Sequence, residues 1–336
     1  MPPDQSASLR FPVSADDPEY LRLSSLEAKF WSARNAGFLE SVEQAGEALF
    51  DRYTNRRFTG DESTYWYETI AARGPFRRGL ALGTAALGQD GRILESNPEL
   101  HLTFCDIAGG SLRRWQRVLE RRFPGRVDTR VVDLNFVELE QDAYDVIISS
   151  STMHHVVNLE RVAEQINRAL ASGGLFFLQD YVGESRYNFD PRRKCIFEAI
   201  YNRDVARRPG QRPGLVWSND DKSQFSPFCG IRSGDILRVM ADHLDPVEEH
   251  CSGAIVALML YARPIDLPAA LRPSWFSRSL LRVKHRLSRL LHTRPREGQS
   301  ALIDPDFERE LEQVDEIISD TGVLSPLNAF AVYRKR

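Results

Sequence analysis

Cysteine is scarce in this 336-residue chain: Cys105, Cys195, Cys229 and Cys251 stand far apart, with no CxxC pair and no histidine at metal-ligand spacing beside any of them. That distribution argues against a disulfide framework and a zinc site, so no metal is expected and a reducing compartment is the simplest home. Long apolar runs are missing as well. The longest, Ala254 to Ala262, is far short of the ~20 residues a bilayer-spanning helix requires, and the Pro-, Asp- and Ser-rich first twenty residues hold no apolar segment that would direct secretion. A cytoplasmic protein is expected. Nor is there an excess of either charge: the net value of -3 leaves no whole-protein electrostatic footprint for nucleic acid, which is therefore not expected as a partner. No internal repeat occurs, which sets aside solenoids and propellers.

What the chain does have is 42% hydrophobic and 10% aromatic residues, enough for a sizeable core. Residues 1–24 read as a disordered N-terminus. Over 25–75, Leu26, Phe30, Trp31, Phe38, Val42, Ala45, Leu49 and Phe50 recur at three- and four-residue steps, predicting a helical cap. A second helix over Ser63 to Arg73 is stopped by Gly74-Pro75. From 76 to 262 the pattern becomes short apolar strands alternating with helices. Strands are predicted at Gly79–Leu82, Leu100–Cys105, Val127–Val132, Tyr144–Ser149 and Gly174–Gln179, with helices at Gly109–Phe123 and Leu159–Ala171. Ser233 is a candidate N-cap for a helix from Gly234 to His243, Pro246 to His250 could be the next strand, and Ala329 to Tyr333 reads as the last. Such alternation predicts an α/β fold with a doubly wound, mostly parallel sheet. Two segments read as insertions, 183–230 inside the core and a basic-then-acidic helical stretch over 263–322, before the last strand within 323–336.

The tract Tyr144-Asp145-Val146-Ile147-Ile148-Ser149-Ser150, then His154-His155-Val156 and, one helix later, Leu170-Ala171-Ser172-Gly173-Gly174-Leu175, resembles the fourth and fifth strands of class I (Rossmann-like) S-adenosylmethionine-dependent methyltransferases. The resemblance covers roughly Leu26 to Tyr261. Asn55-Arg56-Arg57-Phe58-Thr59-Gly60-Asp61 with Trp66 resembles the pre-sheet segment of a bacterial group linked to saccharide biosynthesis. The implied cofactor is S-adenosylmethionine, lying across the strand ends at the switch point of the sheet. The implied cofactor residues are Gly83, Thr84 and Ala85 in the first loop, Asp106 with Ile107 for the ribose, Asp133 with Leu134 for the adenine, and Ser149 with Ser150 beneath the methionine portion. Where the family has G-x-G-x-G, this chain keeps only Gly83; Ala85 and Leu87 stand in place of the other glycines. Plain alternatives stand beside these roles: a strand-to-helix turn for the loop, and surface carboxylates at strand ends for Asp106 and Asp133.

A hydroxyl acceptor must lose a proton during methyl transfer, and His154 and His155, just past the fourth strand, are the candidate catalytic bases; the alternative is a packed pair that fixes the loop. Tyr181, Arg186, Tyr187 and Arg232 are candidate substrate-binding groups. The expected function is methyl transfer to a small polar acceptor, such as a hydroxyl of a saccharide or other biosynthetic intermediate in polysaccharide biosynthesis. A catalytically inactive, methyltransferase-like binding protein with a degenerate cofactor loop is the competing reading. Between Arg272 and Arg296 there are eight Lys/Arg and no acids. Such a segment suits an interfacial helix on an anionic membrane, against the preferred alternative that it packs on the acidic stretch Asp304–Asp320. Oligomeric state is not legible.

Overall fold

A computed structural model describes residues 9–42, 50–84, 87–205, 214–217, 226–260, 262–264 and 305–336. The chain divides into two compact units: one comprises Met1–Asp190, Asp221–Ala254 and Ile318–Arg336, the other Pro191–Asp220 and Ile255–Ile317. The insertions expected at 183–230 and 263–322 are therefore one unit with narrower first and earlier second boundaries.

The larger unit is built on a seven-stranded sheet. Its strands are β1 (Arg78–Leu82), β2 (His101–Asp106), β3 (Val127–Val131), β4 (Tyr144–Ser150), β5 (Leu170–Tyr181), β7 (Asp245–Ser252) and β9 (Asn328–Arg334), in the order β3-β2-β1-β4-β5-β9-β7. The first five are parallel, while β9 runs antiparallel to both β5 and β7. The expected α/β, mostly parallel sheet is thus the observed fold. Alternate residues of each strand enter different cores, as the two-residue period of a strand requires. Leu80, Leu82, Ile147, Phe176 and Leu178 face one way and join Val162, Ala163 and Ile166 of α5 (Leu159–Ala169) and Val239 and Met240 of α7 (Ile236–His243). Ala81, Phe104, Val146, Ile148 and Phe177 face the other way and join Ile93 and Leu94 of α3 (Leu87–Ser96) and Leu112, Trp115 and Leu119 of α4 (Gly109–Arg122). Each large apolar side chain removed from water on these faces contributes about 1.5–3 kcal/mol.

Several expected boundaries move. The cap is two helices, α1 (Pro18–Val42) and α2 (Asp51–Thr59), the second closed by Gly60 at φ 82° with its N–H on the Arg56 carbonyl. The predicted helix at Ser63–Arg73 is a 3-10 helix, Trp66–Arg73. The chain before Ser25 is ordered from Leu9 onward. Pro18 opens α1, Asp17 Oδ1 accepts the N–H groups of Glu19 and Tyr20 at 2.8 and 3.0 Å, and buried Leu9 and Val13 pack with Tyr20 and Leu23. Ser233 caps no helix through its side chain; it begins a 3-10 turn, Ser233–Asp235, that leads into α7. The Ser172-Gly173-Gly174 turn lies inside β5, because α5 ends at Ala169.

The smaller unit holds α6 (Pro191–Val205), the antiparallel pair β6 (Leu215–Trp217) and β8 (Ala262–Pro264), and most of a helix over Pro305–Asp320. Phe307 of that helix meets Phe197 and Tyr201 of α6 edge-on, with centroids 6.3 and 6.2 Å apart. Asp315, fully buried, accepts the backbone N–H groups of Ile255 and Val256. The basic segment 272–296 and Ala85 lie outside the described residues. Among the described residues no helix is long and apolar enough to cross a membrane.

Candidate functional site

β1 has β2 on one side and β4 on the other, so the chain's connections leave β1 in opposite directions and a crevice opens at the strand ends. Gly83 follows β1 at φ 89°, donates its N–H to the Cys105 carbonyl at 2.7 Å, and lies so close to Thr152 that a Cβ would come within 2.0 Å of Thr152 Oγ1. Only glycine meets both demands, and the contact places the first loop against the loop that carries His154 and His155. Asp106 ends β2 partly exposed. Its Oδ2 accepts the N–H and hydroxyl of Thr84 at 3.0 and 2.6 Å, and Oδ1 accepts the Ala108 N–H at 2.7 Å. With about four acceptor positions on a carboxylate, one on Oδ1 is open among the described residues. Ser149 pairs with Leu82 in the parallel register, so it sits at the switch point. It is fully buried, and its Oγ has no hydrogen-bond partner among the described residues. Ser150 next to it contacts Gln179 Oε1 at 3.1 Å.

The adenine-side candidates are more occupied. Asp133 Oδ2 accepts the Tyr20 hydroxyl at 2.7 Å, and Oδ1 accepts both the backbone N–H and the side-chain Nδ2 of Asn135 at 3.0 Å. Burial and the Asp133 charge push the Tyr20 hydroxyl well above its ordinary range. Asp133 therefore ties α1 to the end of β3. Leu134 belongs to the core, and Ile107 is half-buried beside Asp106.

His154 and His155 occupy a 3-10 turn, Met153–His155, which Asp180 at the end of β5 holds in place. Asp180 Oδ2 accepts the Thr152 and Met153 N–H groups at 2.9 and 2.7 Å, and its Oδ1 lies 2.5 Å from His154 Nδ1. His155 Nδ1 lies 2.8 Å from Glu27 Oε1 on α1, and Glu27 also accepts from Trp31 Nε1, Ser226 Oγ and Phe228 N. Both carboxylates are buried, Asp180 at 0% and Glu27 at 3% exposure. The two imidazoles lie 4.1 Å apart, and Cys229 closes the group, with its Sγ 3.2 Å from the Tyr187 hydroxyl.

Burial works against every charge here, and the neighbours outweigh it. Burial presses His155 down, yet Cys229 and Glu27 raise it to about 10; burial raises Glu27, but His155 brings it below its ordinary value. His154 is raised in the same way by Asp180 against burial and His155. Burial would lift the Cys229 thiol, and the two histidines hold it well below the usual range.

Of the candidate substrate groups, the structure brings two to this cluster. The rings of Tyr181 and Tyr187 meet at a tilt of 35° with centroids 4.6 Å apart, and Tyr181 lies edge-on to His154. Arg186 donates to the Pro227 carbonyl at 2.6 Å and so fastens the loop that carries Cys229. Arg232 does not fit the substrate-binding role: it is buried and bidentate on Glu160 at 2.6 Å twice, with further bonds to the Val157 carbonyl and Asp235. Four of its five N–H donors are engaged by the protein. Glu27, Asp180 and Cys229 are the members that sequence reasoning missed. They come from α1, β5 and a distant loop, and no local spacing links them to the histidines.

Residues 81–176 match the family model described as a methyltransferase domain. A curated relative, the malonyl-acyl carrier protein O-methyltransferase of Geobacter sulfurreducens, is 25% identical over 158 residues, 47% of this chain and 56% of its own length. This chain thus spans little more than half of that relative. Among solved structures, the 4+2 cyclase SpnF is 14% identical with a TM-score of 0.49, covering 93% of this chain and 96% of its own. The geranyl diphosphate C-methyltransferase of Streptomyces coelicolor is 13% identical with a TM-score of 0.47, covering 94% and 98%. The matched segment, residues 81–176, runs from β1 into β5 of the sheet whose switch point carries Gly83, Asp106 and Ser149, so this part of the chain is similar to a methyltransferase domain.

Proposed function

We propose that this protein binds S-adenosylmethionine at the β1/β4 switch point and transfers its methyl group to the hydroxyl of a small polar acceptor, a saccharide or other biosynthetic intermediate. The observation that carries the reading is the buried Ser149 Oγ at the switch point, which has no partner among the described residues. A buried hydroxyl without a partner is disfavoured by about 1–3 kcal/mol, and a ligand laid across the strand ends would satisfy it. The open position on Asp106 Oδ1 suits a ribose hydroxyl in the same crevice, and Gly83 lets the backbone approach the ligand closely. When bound, the cofactor supplies an electrophilic methyl on a sulfonium that is already a good leaving group.

The protein's own share is positioning and proton removal. Thr152 packs on Gly83, so the turn with His154 and His155 stands beside the first loop. Tyr181 and Tyr187 form an aromatic wall on the same side. The acceptor's proton would pass to His154, whose Nδ1 lies 2.5 Å from Asp180 Oδ1. Holding the acceptor in line converts much of the barrier into effective molarity. An oxygen acceptor is in keeping with the O-methyltransferase among the relatives.

Calorimetry with S-adenosylmethionine and its demethylated product tests the reading. Micromolar binding is expected. Absence of binding by either would sink it in favour of a binding protein that has lost the cofactor.

A further inference from the structure

Sequence spacing gave no reason to look for a metal, because Cys229 is separated from His155 by a long stretch of chain. Folding removes that separation. The ligand atoms offered by His154, His155 and Cys229 all lie within 4.8 Å of one another. We propose that these three side chains form a divalent transition-metal site of the zinc class, with one coordination position open toward the acceptor.

Four features of the geometry carry this. First, each imidazole has its Nδ1 held by a buried carboxylate, His154 by Asp180 at 2.5 Å and His155 by Glu27 at 2.8 Å. Metal-binding histidines are commonly oriented in this way, since the carboxylate fixes the ring and the tautomer and leaves Nε2 to face the ion. Second, the supporting carboxylates are themselves fixed: Asp180 by the Thr152, Met153 and Tyr181 N–H groups, Glu27 by Trp31, Ser226 and Phe228. Third, bond lengths of about 2.3 Å to sulfur and 2.0–2.1 Å to nitrogen imply tetrahedral ligand separations of roughly 3.3–3.6 Å. The three side chains need to close by about 1 Å, which small rotations of turns already in contact supply. Fourth, two nitrogens and one sulfur suit zinc, cobalt or copper and offer nothing to magnesium or calcium, which take oxygen.

Three protein ligands and an open fourth position are the arrangement of metal sites that do chemistry, whereas structural zinc is closed by four. Tyr187, whose hydroxyl is 3.2 Å from Cys229 Sγ, and Tyr181 in tilted contact with it form the wall beside that position. An acceptor hydroxyl bound there would be acidified by the ion as water is. This last role rests on the proposed methyl transfer; the metal site itself does not.

The test uses the full-length protein stripped with a chelator and dialysed. Zinc is titrated by calorimetry, bound metal is counted by mass spectrometry, and cobalt(II) is used as the optical probe. We expect one zinc per chain, no magnesium binding, and a cobalt spectrum with a thiolate-to-metal charge-transfer band and intense tetrahedral bands. Cys229→Ala is expected to abolish the charge-transfer band. Glu27→Gln is expected to weaken zinc about 10–100-fold while keeping that band, since Cys229 remains in place. Failure of the wild-type protein to hold zinc, a cobalt spectrum without the thiolate band, or unchanged affinity in Cys229→Ala would overturn the site. If Cys229→Ala does not fold, the wild-type spectrum and Glu27→Gln still decide. S-adenosylmethionine binding measured on the same samples keeps the two proposals apart. Zinc without cofactor binding removes the methyl-transfer reading alone, and cofactor binding without zinc removes the metal site alone.

Discussion

The two sides of the crevice are built on different plans. On the proposed cofactor side, Gly83, Asp106 and Ser149 sit at the ends of neighbouring parallel strands, so the sheet's register alone brings them together. On the proposed acceptor side, Glu27, His154, His155, Asp180 and Cys229 come from separate segments and meet only through side-chain contacts. The first kind of site tolerates drift in side chains as long as the backbone holds. The second depends on every member, since each buried charge there is balanced by another.

The largest effect therefore belongs to the acceptor side. His154→Ala should lower turnover by about 100- to 10,000-fold while barely moving cofactor affinity, and His155→Ala, which removes a partner of Glu27, should lower it less; initial rates beside calorimetry check both. Full turnover in both variants would reduce the pair to a loop fastener and dissolve the contrast between the two sides.

Buried carboxylates sharpen the same comparison. Glu27 faces His155 and is held below its ordinary range, whereas Asp90 on α3, also buried, has the Trp115 indole N–H at 2.8 Å as its hydrogen-bond donor and burial raises it to about 7. A carboxyl raised in the folded state favours folding fully below its unfolded value of 3.8, and that advantage is lost as pH rises through about 7. Asp90→Asn should flatten this loss and stabilise the protein above neutral pH by up to about 4 kcal/mol, taking 1.36 kcal/mol per unit as the upper scale. Urea unfolding at pH 5 and pH 8 measures it; an equal effect at both values would show that Asp90 does not titrate in this window.

Legibility in the sequence follows the same division. Apart from α3, the strand and helix elements from Arg78 to Tyr181 were readable because apolar runs of parallel strands alternate with amphipathic helices, and Asp106 was readable as a strand-end acid. The start of α1 was encoded too, by Asp17 as the cap and Pro18 as the first helical residue, but the surrounding Pro- and Asp-rich composition reads as disorder. The helix α3 was not legible, because Gly88 and Gly91 interrupt it; glycine inside a helix removes about 1 kcal/mol of propensity. The partners of His154 and His155 could not be read at all, since a site held by long-range side-chain contacts leaves no period or spacing behind. Arg232 shows the converse: its residue type and place in the chain suit a substrate-binding group, and folding gives it Glu160.

Smaller effects belong to the cofactor side. Asp106→Ala should weaken S-adenosylmethionine by roughly 1.5–3 kcal/mol, the scale for losing hydrogen bonds to a charged acceptor. Calorimetry reads this directly, and an unchanged dissociation constant would remove Asp106 from the site. Because Asp106 also receives Thr84 and Ala108, part of the loss will be a looser first loop. Asp106→Asn, which keeps an acceptor for Ala108, should lose less than the alanine variant.

The smallest expected effect tests whether α1 serves the fold or the cofactor. The Tyr20 hydroxyl donates to Asp133 Oδ2 at 2.7 Å and accepts Asn135 Nδ2 at 2.8 Å, and the ring stacks on Phe228 and meets Phe136 edge-on. Tyr20→Phe keeps the ring contacts and removes only the hydroxyl. Among the described residues it leaves Asp133 with Asn135 alone, and it should lower stability by about 1.5 kcal/mol, the lower end of the scale for one hydrogen bond to a charged acceptor. The same change frees a position on Asp133 facing the end of β3. If Asp133 accepts the cofactor's adenine amino group, the variant should bind S-adenosylmethionine as tightly as the wild type or more so, despite its lower melting point. Parallel loss of stability and affinity would instead mean that the ordering of α1 is itself required for binding, and that the cofactor side shares the acceptor side's dependence on long-range side-chain contacts.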